Sequence, residues 1–559
     1  MIGTSVDPAS PTPAPRPPEM AMRLDRMGSA HPTRLSFLRI MLRRMRDEGW
    51  RFDRALFDLD SRGVGRAVYC LHGPVRSYSL VAFAHDLPDD MRTDRVIATA
   101  WDATFAFFDG VPETADLDRL AANVPLQEAG RVSTRELSLS RANRSVRLFS
   151  HVVSALAEGR QPDRAELDAV GYLMRTTAVY GSGKFGAQDR AAIAGRPELA
   201  APFQAEMMSV WLTRAFTVDL VNHLARERGG DRAARLDAGL ARSLGVGNST
   251  GLGMAPFLVR HPRLLHAWAA ARETALARVR GKAAPTPKER AALCEAVEDA
   301  RENARHWHSE HPLQQEKLRA LRADLAAAAD LIDSWPAPGD PQPWNSLWLW
   351  GEAHLSLEGQ EALLSILLEP CGALVDDLAR DLSAREAPAW PIDGAMSVAA
   401  MREAIATRYG WALRYDFTDR AELARFWYVS EEKLEPRLGE RFAEAGAERE
   451  MPLGIAHRVR LADDALGAAD PESTLAAFLL AHPEHRMAIR RVQMLADCPY
   501  GEIAENLLGG GILPIDMMRY KLAFFGASHF DPRSDKWVRI SLFAGLPGPE
   551  EIGDYDGRL

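Results

Sequence analysis

Hydrophobic positions along most of this chain recur three and four residues apart, a period that predicts a mainly α, multi-helix globular protein. Leu35, Phe37, Leu38, Ile40, Met41 and Met45 form a first stripe, ending near Glu48. Residues 145–158 predict a second helix. Asp163 is placed to cap a third that runs to about Val179. The stretch 203–226 is the most hydrophobic: Met207, Trp211, Ala215 and Val218 share one face, and Val210, Leu212, Phe216, Leu220, Val221 and Leu224 fill the others, which marks a central helix. Thr286-Pro287 is a helix start, and Leu318, Leu321, Leu325, Ala328 and Ile332 form a regular stripe further on.

Period-two patterning is rarer. Residues 65–72 and 77–84, around Gly73-Pro74, predict a β-hairpin, and 537–543 predicts a short C-terminal strand element. The apolar run 96–108 fits helix or strand. These signals divide the chain into a disordered Pro-rich tail (1–30), a small N-terminal α+β unit containing the hairpin (31–130), a central helical domain with two glycine-rich loops (131–340) and a mainly helical C-terminal domain (341–559). Pro336, Pro338, Pro341 and Pro343 mark the last boundary.

Composition narrows the classes of function. A net charge of −9 and the absence of a long basic run argue against nucleic acid as a partner. No stretch reaches about 18 apolar residues, the length a membrane-spanning helix needs, and the proline-rich start lacks the apolar core of a signal peptide. Cys70, Cys294, Cys371 and Cys498 form no C-x-x-C pair, so a reducing, cytoplasmic setting is expected. A homo-oligomer stays open, and no motif names a cofactor.

Two glycine-rich segments carry the candidate chemistry: YGSGKFG (180–186) and GVGNSTGLGM (245–254). Glycine is costly in regular structure and serves where backbone bends or approaches something closely. Lys184 is followed by Phe185, and the preceding element reads as helical, so the P-loop pattern fails. Gly247, Gly251 and Gly253 lack dinucleotide spacing, and no strand is expected before them. The segments instead predict a pocket for a small anion. Arg175, Ser182, Lys184, Arg190, Arg214, Asn248 and Thr250 would bind it, and Ser249 would transfer or position a proton. Asp219 and His223, four residues apart on the central helix, would act as an acid/base pair. His308 and His311 have metal-ligand spacing but no third ligand in the sequence, so no metal is expected.

Residues 247–256 (GNSTGLGMAP) and 177–181 (TAVYG) resemble the mobile G-S-S-x-x-P loop and the T-A-V-G stretch of the fumarase and aspartase superfamily. Phe257, Leu258 and Val259 stand where that family has lysine and asparagine. The resemblance implies an all-helical fold and an elimination or addition reaction. The expectation is therefore an enzyme, with lyase-type or other acid/base chemistry favoured, acting on a small carboxylate- or phosphate-bearing metabolite. The alternative is a non-catalytic helical scaffold or regulatory protein whose glycines serve packing.

Overall fold

Strand-forming sequence extends far beyond the expected hairpin. The computed structural model describes residues 13–23, 25–88, 100–126, 133–176, 195–199, 204–248, 262–307, 312–380, 382, 390–418, 451–502, 519, 521–526 and 540–552. Its centre is an eight-stranded sheet in sequential order: β1 (Arg51–Leu59), β2 (Gly65–His72), β3 (Ser77–Ala84), β4 (Ala103–Asp109), β5 (Glu136–Arg144), β6 (Tyr172–Thr176), β7 (Gly245–Asn248) and β8 (Ile540–Leu542). All neighbours are antiparallel except β6 and β7, which are parallel. The mainly α reading, with a small N-terminal α+β unit, is corrected by this sheet, as is the all-helical fold implied by the resemblance. The protein is helix-rich, but a large mixed sheet forms its N-terminal part.

The physical reasons for the difference are local. The helix expected to run from Asp163 to Val179 does start there, with the Asp163 side chain accepting from Ala165 N. It is α4 (Arg164–Val170), and it stops at Gly171, whose φ of +75° suits glycine. β6 follows at once, buried at every residue, so it shows no alternation to read. β5 carries serines on the inward face, where Ser138 and Ser140 lie opposite Phe107 and Phe105, and that breaks the expected alternation of apolar and polar.

Helices cover both faces of the sheet. On the inner face lie α3 (Phe149–Ala157) and α5 (Gln204–Gly229), packed against each other. Phe216 of α5 meets Phe105 edge-on at 5.5 Å and Tyr69 at 6.4 Å, and Trp211 meets Phe52 at 6.2 Å. Each such buried aromatic side chain contributes on the order of 1.5–3 kcal/mol. The outer face buries Val68, Cys70, Val81, Phe83, Ala106, Phe108 and Leu139 under Leu120 of α2 (Thr114–Asn123) and Val124 just beyond it. α1 (Phe37–Asp47) also touches α5.

The helical body follows the expected periodicity more closely. It comprises α7 (Pro262–Arg280), α8 (Pro287–Arg305), α9 (Pro312–Asp333), α10 (Pro343–His354), α11 (Leu357–Leu368), α12 (Val398–Arg414), α13 (Met451–Gly467), α14 (Leu475–Ala481) and α15 (Arg486–Asp497), reached from α5 through α6 (Ala238–Ser243) and β7. Thr286 and Glu289 close a capping box at the start of α8, and Leu318, Leu321, Leu325, Ala328 and Ile332 are buried along α9. α11 is buried from Glu358 to Leu368. The proline-rich start, expected as a disordered tail, is described from residue 13. Arg16, Ala21, Met22 and Met27 are buried, and Ser29 donates to the Glu361 carbonyl at 3.0 Å. Among the described residues no helix is long and apolar enough to cross a membrane.

Candidate functional site

The two glycine-rich segments, far apart in sequence, are tied to adjacent parallel strands: the first follows β6 in sequence and the second begins with β7. Thr176, the last residue of β6, pairs with Asn248, the last of β7, and Arg175 pairs with Gly247. Segment 177–194 continues from the first strand and segment 249–261 from the second. Crevices outside the carboxyl ends of parallel strands are where open α/β sheets bind ligands. Four of the ten residues of the second segment, Gly245–Asn248, form β7, where no strand was expected. Its glycines answer to packing: a Cβ on Gly245 would lie 2.3 Å from the Leu542 carbonyl oxygen, and one on Gly247 would lie 2.6 Å from the Tyr172 ring.

Around these strand ends the sheet is unusually polar. Arg175 is buried and lies in register with Asn143 of β5. Asn143 accepts from Asp102 N at 2.9 Å and donates to the Ala100 carbonyl at 3.2 Å. Asp102 accepts from the Arg144 backbone N–H at 2.9 Å and lies 3.7 Å from the Arg144 Nε. Arg141, two residues before Asn143 and thus on the same face, stacks 4.0 Å over the Trp101 ring and pairs with Thr104. Burial lowers the Arg141 guanidinium and the His85 imidazole, although Asp102 opposes the latter. His85 Nε2 sits 3.3 Å from Thr104 Oγ1. Of the arginines on these neighbouring strands, Arg144 lies beside Asp102, while Arg141 and Arg175 share the face of Asn143, forked cationic donors of the type suited to carboxylate or phosphate. Sequence reading missed Asp102, Arg141, Asn143 and Arg144. No period-two signal marked them, because Ser138-Leu139-Ser140-Arg141-Ala142-Asn143-Arg144 does not alternate apolar and polar.

The expected site residues separate. Arg175 and Asn248 sit at these strand ends. Ser182, Lys184, Arg190, Ser249 and Thr250 lie outside the described residues, as do His308 and His311. Arg214 binds backbone carbonyls: Leu546 at 2.8 Å, Arg242 at 2.7 Å and Ala241 at 3.3 Å. Burial pulls its guanidinium down to about 10. Those bonds tie α5 to the end of α6 and to the segment after β8, a structural role.

Asp219 and His223 take different partners. Asp219 accepts from the Tyr69 hydroxyl at 2.8 Å and pairs with Arg54 at 3.1 Å, under the β1–β2 end of the sheet. Burial, and then the Asp219 carboxylate, raise the Tyr69 hydroxyl well above its ordinary value. His223 Nε2 lies 2.8 Å from the Asp60 carbonyl, and its ring packs edge-on against Phe57. Tyr69→Phe is expected to cost about 1.5–3 kcal/mol, the range for a hydrogen bond to a charged group. His223→Ala on its half-exposed ring should be near neutral. Urea denaturation of both variants checks this, and equal losses would reject the assignment.

A second polar cluster lies in the helical body. Arg16 bridges Glu273 of α7 (Nε at 2.8 Å, Nη2 at 2.9 Å) and Glu361 of α11 (Nη1 at 2.6 Å, Nη2 at 3.1 Å). Arg272 adds contacts of 3.0 Å to Glu273 and 3.8 Å to Glu361, and Arg26 reaches Gln360 at 2.6 Å. Burial alone would push the Glu361 carboxyl up, but Arg16, Arg272 and Arg26 outweigh it and hold it low. These charges satisfy one another, so the cluster fixes the N-terminal segment to the helices rather than awaiting a ligand. Compared with protein-family models, curated proteins and solved structures, the chain matches none.

Proposed function

We propose that the carboxyl ends of β6 and β7 form the site of an enzyme acting on a small carboxylate- or phosphate-bearing metabolite. The observation that carries this reading is the parallel β6–β7 pair, whose carboxyl ends lie side by side with buried Arg175 and are followed in sequence by residues 177–194 and 249–261. Arg175 and Arg141 would neutralise the anion, and the Asn248 amide would orient it. Ser249 and Lys184, carried by the segments that continue these strands, are the groups assigned to proton transfer and charge stabilisation. Asp219 and His223 are not part of this proposal, because each is engaged elsewhere. The four cysteines are free thiols, which supports a reducing cytoplasm as the setting.

The scaffold alternative draws support from Gly245 and Gly247, whose missing side chains are used by Leu542 and Tyr172. A thermal-shift screen against carboxylates and phosphates separates the two. A ligand at one hundred times its Kd stabilises by about 2.7 kcal/mol. Arg175→Met is expected to weaken that ligand about tenfold or more, and Arg226→Met at the exposed end of α5 should leave it unchanged. If no anion raises the melting temperature of the unmodified protein, the scaffold reading stands.

A further inference from the structure

The outer face of β1 and β2, at the opposite edge of the sheet from β6 and β7, holds a second group of chemistry-bearing side chains. Asp53 of β1 pairs directly with Cys70 of β2, and His72 follows two residues later on the same face. One ligand-type atom from each, a carboxylate oxygen, Sγ and a ring nitrogen, lies within 4.8 Å of the others. His72 Nε2 is 2.5 Å from Asp53 Oδ2. We propose that Asp53, Cys70 and His72 bind a thiophilic divalent cation, with zinc the metal their donors fit.

Three features support this beyond proximity. The donor set of sulfur, imidazole nitrogen and carboxylate oxygen suits zinc and disfavours calcium or magnesium, which take oxygen. The other ring nitrogen of His72, Nδ1, is hydrogen-bonded to Ser77 Oγ at 2.9 Å, the outer contact that metal-binding histidines use to fix ring orientation. The site is also graded in depth. Cys70 is buried beside Ser79 Oγ at 3.3 Å, His72 is partly covered and Asp53 is half-exposed. A cation can therefore enter from solvent and keep a solvent position as its fourth ligand, as open zinc sites do.

Binding breaks the Cys70 S–H bond and forms a sulfur–metal bond, and the proton passes to solvent. The hydrogen that joins His72 Nε2 to Asp53 Oδ2 leaves through solvent and a hydrogen is taken up at Nδ1, which then donates to Ser77 Oγ, so that the freed Nε2 lone pair and an Asp53 oxygen both turn to the metal. No electron changes hands. Nothing in this site depends on the proposed activity at β6 and β7.

The test is cobalt titration of the full-length protein after treatment with a chelator. Cobalt is expected to bind as a single equivalent with a thiolate-to-cobalt charge-transfer band in the near ultraviolet, and zinc should displace it. Cys70→Ser should abolish that band, and Ser77→Ala should weaken cobalt binding about 10–100-fold. A spectrum without the band, or one that survives Cys70→Ser and so arises at Cys294, Cys371 or Cys498, overturns the proposal. Should Cys70→Ser fail to fold, His72→Ala decides: cobalt affinity more than tenfold weaker supports the site, and unchanged affinity removes it.

Discussion

Arg16→Met is expected to destabilise the protein by about 3–5 kcal/mol, the usual result of removing one partner from a buried ion pair. Arg16 is 4 % exposed and Glu361 1 %, so neither can exchange its partner for water. Without the guanidinium, Glu273 keeps Arg272 at 3.0 Å, while Glu361 keeps only the longer contacts to Arg26 (3.4 Å) and Arg272 (3.8 Å). A Glu361→Gln change added to Arg16→Met should recover part of the loss, because the carboxylate no longer needs compensation. The double-mutant cycle is expected to give a coupling of about 0.5–3 kcal/mol. Urea unfolding reports this through tryptophan fluorescence, since Trp348 lies 5.5 Å from the Arg16 guanidinium. Additive losses would mean that the two charges do not act as a pair.

The same cluster sets a pH dependence. The Glu361 carboxyl titrates lower in the folded protein than in the unfolded chain. Its contribution is therefore complete above the unfolded value and is lost as pH falls through the lower folded value. Unmodified protein should weaken across that acid window, and Glu361→Gln should flatten the slope there. A slope identical in both would exclude Glu361 as its source.

Gly245→Ala is expected to cost about 1–3 kcal/mol, the range for overpacking a filled interior, and to loosen anion binding at the strand ends. The added methyl would meet the Leu542 carbonyl oxygen at 2.3 Å and the Ala544 nitrogen at 2.9 Å, both backbone atoms of the strand and turn that flank β7. Backbone cannot swing aside as a side chain can, so β8 must move away from β7. Gly548→Ala is the control, with nothing within 4 Å of its would-be methyl and an ordinary negative φ. Melting temperatures and anion-induced shifts of the two variants measure the difference. Equal values would separate the glycine from strand packing.

By itself, the sequence determined the features whose signal is local. The stripe of Leu318, Leu321, Leu325 and Ile332, the Thr286-Pro287 helix start, the Asp163 cap and the β2–β3 hairpin each rest on residues a few positions apart, and those residues occupy the places expected of them. Composition alone could not show that Arg16 lies buried between two helices, because a proline-rich stretch looks the same whether or not carboxylates await it elsewhere. The tertiary structure decided the rest. β6 is uniformly buried and β7 is half glycine, so neither shows a period of two, and their pairing joins residues 175 and 247 across the whole of α5. The Asp53, Cys70 and His72 cluster depends in the same way on β1 folding back against β2 in one register. Strand pairing is a contact between distant segments, and its energy is not carried by either segment alone.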